Sequence, residues 1–174
     1  MDPIRIQVLR NKIASLTDEM HYHFYRSGYS TIIRESRDFS CVILDRNGRL
    51  ITASPMFFHA PVYRHLVAHI LKAYGGAQNA IADGDVFVCN HPYEGGLPHV
   101  SDMAFVAPIY AGAELVGFSG SIAHKADVGG AVAGSTSANA TEMYQEGVLI
   151  PPVKIWDAGK FLVDVERIIL ANSR

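Results

Sequence analysis

Between Asp102 and His124 the sequence reads DMAFVAPIYAGAELVGFSGSIAH, two apolar arms around Gly112-Ala113. No other segment constrains the fold so tightly. Arms of this kind joined by a short glycine turn form an antiparallel hairpin, and closing it brings Asp102 and His124 to the same open end. Register decides whether they share a face. Side chains alternate along a strand, so an even loop without a bulge sets Asp102 opposite Ala123 and turns His124 away. An odd loop, or a bulge near Gly112, sets Asp102 opposite His124 instead. Pro108 within the first arm marks an edge or a bulge. His99, three residues before Asp102, would face the other way in a regular strand, so it joins them only if Pro98–Ser101 turns. Two imidazoles and a carboxylate gathered in this way suit a divalent metal ion.

Upstream, Leu9, Ile13, Leu16, Met20 and Phe24 follow one another at spacings of four, three, four and four, as one face of a helix over Asp2 to Tyr25 requires. Asp2 before Pro3 supplies a cap and a proline at the first helical position, and Gly28 ends the helix. His21 and His23 diverge on such a helix and are not expected to hold a metal. Cys41–Leu44, Asp45-Arg46-Asn47-Gly48 and Arg49–Thr52 read as strand, tight turn and strand, with Asn-Gly as the hairpin signal. His59, which follows Phe57-Phe58 and precedes Ala60-Pro61, is either a packed loop histidine or a group for proton transfer or substrate positioning. A second helix spans Val62 to Tyr74 and ends at Gly75-Gly76. On it His65 and His69 share a face with Leu66 and Ile70 beside them, which reads as helix surface rather than a metal site.

Asp83-Gly84-Asp85 turns the chain into a strand at Val86–Cys89. The run Asp127 to Gly134, DVGGAVAG, lacks the lysine and the strand-then-helix setting of a phosphate loop, so a close-packed loop is expected. Asn139 to Gly147 is read as a short helix with Glu142 and Glu146 on one face, a pair of acids that is either catalytic or solvated. Ile150-Pro151-Pro152-Val153 forms a stiff connector, Asp157–Lys160 a turn, and Val165–Asn172 an apolar terminal helix against which something should pack. The expected fold is α+β: an N-terminal amphipathic helix, then mixed helices and mainly antiparallel hairpins, in one domain over residues 1–174.

Composition removes several classes of function. With 174 residues, 49% of them hydrophobic and 18% charged, the chain can bury an ordinary core. A net charge of -2 with scattered Lys and Arg gives no field for nucleic acid. No apolar run approaches the ~20 residues of a membrane span and no targeting segment opens the chain, so neither nucleic acid nor membrane is an expected partner and a cytoplasmic setting is expected. Cys41 and Cys89 sit in apolar surroundings and read as buried free thiols of a reducing compartment.

Five blocks stand in one order: Ser36-Arg37-Asp38-Phe39-Ser40-Cys41; Asn90-His91-Pro92-Tyr93-Glu94-Gly95-Gly96; Pro98-His99 through Asp102; Ala123-His124 through Asp127-Val128-Gly129-Gly130; and Ala140-Thr141-Glu142 through Tyr144-Gln145-Glu146-Gly147 with Ile150-Pro151-Pro152-Val153-Lys154. Together they resemble the hydantoinase B/oxoprolinase family. The resemblance implies a B-type part of ATP-dependent enzymes such as N-methylhydantoinase, 5-oxoprolinase and the acetone and acetophenone carboxylases. In these a partner, the hydantoinase A-type subunit or domain, binds ATP and activates a lactam or ketone oxygen. The B-type part completes hydrolysis or carboxylation around a bound metal. The family's metal ligands map onto Asp38, His99, Asp102 and His124, a donor set that zinc, manganese and iron all tolerate.

The implied function is hydrolysis of an activated cyclic amide, a hydantoin or lactam. Alternatives are a part of an acetone or acetophenone carboxylase-like enzyme, and a catalytically inactive fragment or assembly module. His59, Glu142 and Glu146 are the residues expected to move protons or position the small-molecule substrate. His91 stands where the family usually has aspartate, and Lys125 where a second histidine commonly follows, so proton transfer or charge preference beside the metal is expected to differ. Family sequences continue beyond Ile168-Ile169-Leu170-Ala171-Asn172, which implies an N-terminal part of a longer B-type subunit, with the rest of that subunit as a further partner.

Overall fold

The computed structural model describes residues 2–55, 59–76 and 80–174; Phe57 and Phe58 lie outside them. Helix α1 (Pro3–Ser27) begins as the sequence predicts, the Asp2 carboxylate accepting the Ile4 N–H at 3.0 Å. Its buried stripe keeps part of the expected one and takes in Thr17. Ile13, Thr17, Met20 and Phe24 face the protein, whereas Leu9 and Leu16 stay about half exposed. Thr17 tolerates full burial by returning its hydroxyl to the Ile13 carbonyl at 3.1 Å.

Strands β1 (Phe39–Asp45) and β2 (Leu50–Ala53) form the expected Asn-Gly hairpin, held by Asp45 Oδ1, which accepts the N–H groups of Asn47 and Arg49. Helix α2 (Ala60–Tyr74) follows, then β3 (Val86–Cys89), the single turn α3 (Pro92–Gly95), and the long strands β4 (Asp102–Ala111) and β5 (Glu114–His124). The chain closes with β6 (Val153–Asp157), β7 (Lys160–Phe161) and α4 (Val163–Ala171). All strands among the described residues join one antiparallel sheet of seven, in the order β2-β1-β5-β4-β3-β6-β7.

Helix α2 covers one face with Tyr63, Leu66, Val67 and Ile70, packed on Val42, Leu44, Phe87, Ala104, Val106, Phe118 and Ile122. On the other face Val88, Val100, Met103, Val128, Ile150 and Ile155 form a second cluster that receives Val165 and Ile169 of α4. Val163, Ile168 and Leu170 of α4 remain exposed. Cys41 and Cys89 are buried and free, as expected, and burial pushes each thiol up to about 12. No helix among the described residues is long and apolar enough to cross a membrane.

The register of the long hairpin takes the form that joins Asp102 to His124. Ala111 pairs with Glu114 and Tyr110 with Leu115 around the two-residue loop Gly112-Ala113. A bulge then shifts the pairing, so that Ile109 faces Gly117 and Asp102 faces His124. Pro108 sits next to this bulge. It is tolerated inside the sheet because β3 has its last partner on β4 at Val106.

Candidate metal centre

Three neighbouring strands bring Asp38, His124 and Asp102 abreast. Phe39 pairs with Ala123 on β5, and the His124 N–H donates to the Asp38 carbonyl at 3.1 Å, which sets Asp38 on one side of His124. Asp102 lies on its other side. All three alternate in step with Val42, Ala104 and Ile122, so their side chains emerge on the face that α2 covers. The segment before β4 turns as required, the Asp102 N–H donating to the His99 carbonyl at 3.3 Å, and this returns the His99 ring to Asp102. His59, the residue that precedes the first turn of α2, enters the same group and is 2% exposed.

Asp102 is the hub. Its Oδ2 lies 3.4 Å from His59 Nε2 and 3.5 Å from His99 Nε2, and its Oδ1 lies 3.5 Å from His124 Nδ1. Asp38 closes the ring, 3.8 Å from His124 Nδ1 and 4.0 Å from His59 Nε2. The donor atoms of His99, Asp102 and His124 all lie within 4.8 Å of one another. Asp102 is 1% exposed, yet neither of its carboxylate oxygens accepts a hydrogen bond from the described residues; Asp38 Oδ1 and His124 Nδ1 are likewise buried without one. Buried carboxylates normally collect such bonds, since an unsolvated charge is costly.

That pattern fits a cation. Ligands about 2.0–2.1 Å from zinc stand about 3.3 Å apart along the edges of a tetrahedron, close to the separations around Asp102. Two carboxylates and neutral imidazoles also give a charge near zero with a divalent ion bound. Behind the group, Tyr63 lies one turn along α2 from His59, and its hydroxyl is 3.3 Å from Ser40 Oγ. Burial raises the Tyr63 phenol far above its ordinary range, so it stays neutral beside the site.

A cavity of about 310 Å³ opens over the imidazoles, lined by His99, Ser101, His124, Ser135, Thr136, Ser137 and Glu146. A larger hollow of about 380 Å³, between His69, Lys72, Ala73, Glu94 and Pro152, contains none of the clustered groups. Asn90, fully buried, fixes the frame of the smaller cavity. Its Nδ2 donates to the carbonyls of Val100 and Val148 at 2.9 and 2.8 Å, and its Oδ1 accepts the Ile150 N–H at 2.7 Å.

The glycine-rich run after His124 is the close-packed loop that the sequence predicts. Asp127 accepts the N–H groups of Gly129 and Gly134 at 2.7 and 2.8 Å, and Arg174 spans the loop to the carbonyls of Gly130 and Val132. Gly130 has φ +87, and a Cβ there would stand 2.6 Å from the Gln145 carbonyl oxygen. The bonds from Gly129 and Gly134 hold the Asp127 carboxyl down at about 2, against an ordinary 3.8. A depressed carboxylate stabilises the fold above its ordinary pKa and loses that contribution as pH falls through the lowered one. The amide resonances of Gly129 and Gly134 should therefore titrate together near pH 2; a shared midpoint near 4 would contradict the contact.

The remaining sequence-derived residues divide. The expected helix over 139–147 is a single tight turn, Met143–Gln145, because so short a polar segment cannot offset the cost of helix nucleation. Glu142 and Glu146 consequently do not share a helix face. Glu142 is exposed and caps that turn by accepting the Gln145 backbone N–H, while Glu146 reaches the cavity wall. The His65 and His69 rings lie tilted against each other with centroids 4.6 Å apart, and His65 Nε2 is 2.9 Å from the Tyr93 carbonyl oxygen, so this pair stays on the helix surface. His91 caps α3, its Nδ1 accepting the Glu94 N–H. Lys125, one residue beyond His124, sits with its ammonium 5.8 Å from the Phe105 ring centroid, and burial lowers its pKa. What sequence reasoning missed is that His59 lies against both carboxylates. Only its position just ahead of a helix proline hinted at that.

The family model described as hydantoinase B/oxoprolinase matches residues 2–174. The 5-oxoprolinase of Saccharomyces cerevisiae is 31% identical over 86% of this chain and 12% of its own. The crystal structure of an ATP-dependent caprolactamase from Pseudomonas jessenii is 28% identical and superposes with a TM-score of 0.83, over 99% of this chain and 29% of that one. A nucleotide-free acetone carboxylase, 18% identical, shares the fold with a TM-score of 0.87 over 99% of this chain and 23% of its own. The chain spans less than a third of the length of the curated relatives it matches.

Proposed function

Because the chain belongs to the hydantoinase B/oxoprolinase family, we propose that it is the metal-holding, N-terminal part of a B-type subunit in an ATP-dependent enzyme that hydrolyses an activated cyclic amide. One observation carries this reading: the buried Asp102 carboxylate accepts no hydrogen bond among the described residues and is ringed by three imidazoles and a second carboxylate. Asp38, His99, Asp102 and His124 are the ligands. When bound, a zinc, manganese or iron ion supplies a Lewis acid and lowers the pKa of water at the floor of the cavity.

The chain's own groups do the rest. His59, closed to solvent and 3.4 Å from Asp102 Oδ2, orients that carboxylate. Thr136 and Ser137 offer hydroxyls to the polar edge of a hydantoin or lactam, while the buried Ser135 hydroxyl, held between the Val128 N–H and the Gly129 carbonyl, fixes the loop that carries them. Glu146, which lines the same cavity as the imidazoles, takes the proton of the attacking water and passes it to the leaving ring nitrogen. Glu142, spent on its cap, takes no part in that transfer. ATP is bound by an A-type partner subunit, which activates the amide oxygen, and the assembly works in the cytoplasm.

The test is ring opening by the complete B-type subunit assembled with its ATP-using partner, on hydantoin, 5-oxoproline and caprolactam. ATP-dependent turnover is expected, lowered about 100-fold or more in Glu146→Gln and lost in His124→Ala. Turnover unaffected by both substitutions would overturn the assignment. A folded assembly that opens no ring would turn the reading towards an assembly module.

A further inference from the structure

We propose that Arg37 is a positioning residue whose left-handed backbone, clamped by the end of α1, aims Asp38 into the metal centre. This rests on the metal-ligand reading of Asp38 above.

Arg37 has φ 53 and ψ 35, the left-handed region that a residue with a Cβ seldom adopts. It stands where the wide helical turn Ile32–Ser36 must stop and β1 must start, and it changes the chain's direction immediately before Asp38. The Arg37 N–H returns to the Ile32 carbonyl and the Phe39 N–H donates to the Arg37 carbonyl at 2.9 Å, so the turn is closed on both sides. Helix α1 grips both neighbours of Asp38. The Arg37 guanidinium lies 5.3 Å from the Tyr25 ring centroid. The Phe39 ring stacks on Phe24 at 4.9 Å and on His21 at 4.5 Å.

Asp38 needs this help more than Asp102 does. Asp102 is a regular strand residue, paired with His124 in the ladder. Asp38 precedes its strand, and its side chain remains 32% exposed while it leans 3.8 Å from His124 Nδ1. An extended backbone at Arg37 would rotate the Asp38 side chain away from the imidazoles while leaving the Phe39 to Asp45 ladder intact.

The experiment measures zinc affinity of this 174-residue chain by chelator competition, with cobalt absorption as an independent readout of ligand number. Asp38→Ala, Arg37→Gly, Arg37→Val and the double variant Arg37→Val/Asp38→Ala are compared, with circular dichroism as the control for folding. Glycine accepts the left-handed conformation, so Arg37→Gly should stay within about fivefold of the parent. Valine resists it, so Arg37→Val should weaken zinc about 10–100-fold and change the cobalt spectrum as Asp38→Ala does. The double variant should be no weaker than Asp38→Ala alone.

Parent-like affinity in Arg37→Val, equal losses in Arg37→Gly and Arg37→Val, or additive losses in the double variant would each overturn the proposal. Parent-like affinity in Asp38→Ala would remove Asp38 from the ligand set, and the proposal with it. That outcome separates a failure of the metal reading from a failure of the positioning argument.

Discussion

Asp102→Ala is expected to abolish metal binding without lowering the stability of the metal-free chain. The carboxylate touches every imidazole of the site, so its loss removes a proposed ligand and the hub that sets the separation of His59, His99 and His124. Zinc affinity should fall by at least about 100-fold, more than the loss of an outer-shell partner produces. Without a metal the same carboxylate is a burden. It is 1% exposed and accepts no hydrogen bond among the described residues, and a buried charge in that condition opposes folding. The variant's melting temperature without metal should equal or exceed the parent's. The parent should gain about 2.7 kcal/mol from zinc at about 100 times its dissociation constant, and the variant nothing. Calorimetric titration and thermal melts with and without zinc check both halves. A variant that still binds zinc like the parent, or that unfolds without metal, would contradict them.

Asn90→Ala should be the most destabilising single change near the site. Its amide joins the end of β3 to the Val100 turn and to the 148–150 segment through three bonds, all to backbone groups. Alanine strands two carbonyls and one N–H at a position with 0% exposure. At about 1–2 kcal/mol for each stranded group, the loss is about 3–6 kcal/mol, or a melting temperature lower by about 8–16 °C for a chain of this size. Asn90→Asp should be no better, since a carboxylate would face two carbonyl oxygens with nothing to donate. Chemical denaturation gives the free energy directly. A loss under about 1 kcal/mol would show that the clasp does not hold these segments together.

The sequence made the hairpin legible because both signals were local: alternation within each arm, and a glycine turn between them. It left two registers open. The bulge opposite Ile109 and Tyr110 decided between them, and no residue pattern marks a bulge uniquely. Asp38 and the turn that carries His99 became readable as site residues through the ordered family blocks rather than through periodicity. His59 was readable only as one of two things, because its neighbours in space, Asp38 and Asp102, are remote in the chain. The short helix expected over 139–147 failed for a different reason. The spacing of Glu142 and Glu146 fits a helix, but nothing apolar on that segment packs one in place, and the turn was capped instead. On α1 the expected Ile13, Met20 and Phe24 do face the protein, but Leu9 and Leu16 do not, since an amphipathic pattern does not say how much of its stripe the neighbouring elements cover.

Metal content per chain, read by plasma mass spectrometry on protein purified without chelator or nickel resin, decides whether Asp102 and the imidazoles around it hold an ion. About one zinc, manganese or iron is expected per parent chain and none in Asp102→Ala. A folded parent chain that arrives without metal and takes up none of the three on titration would contradict this.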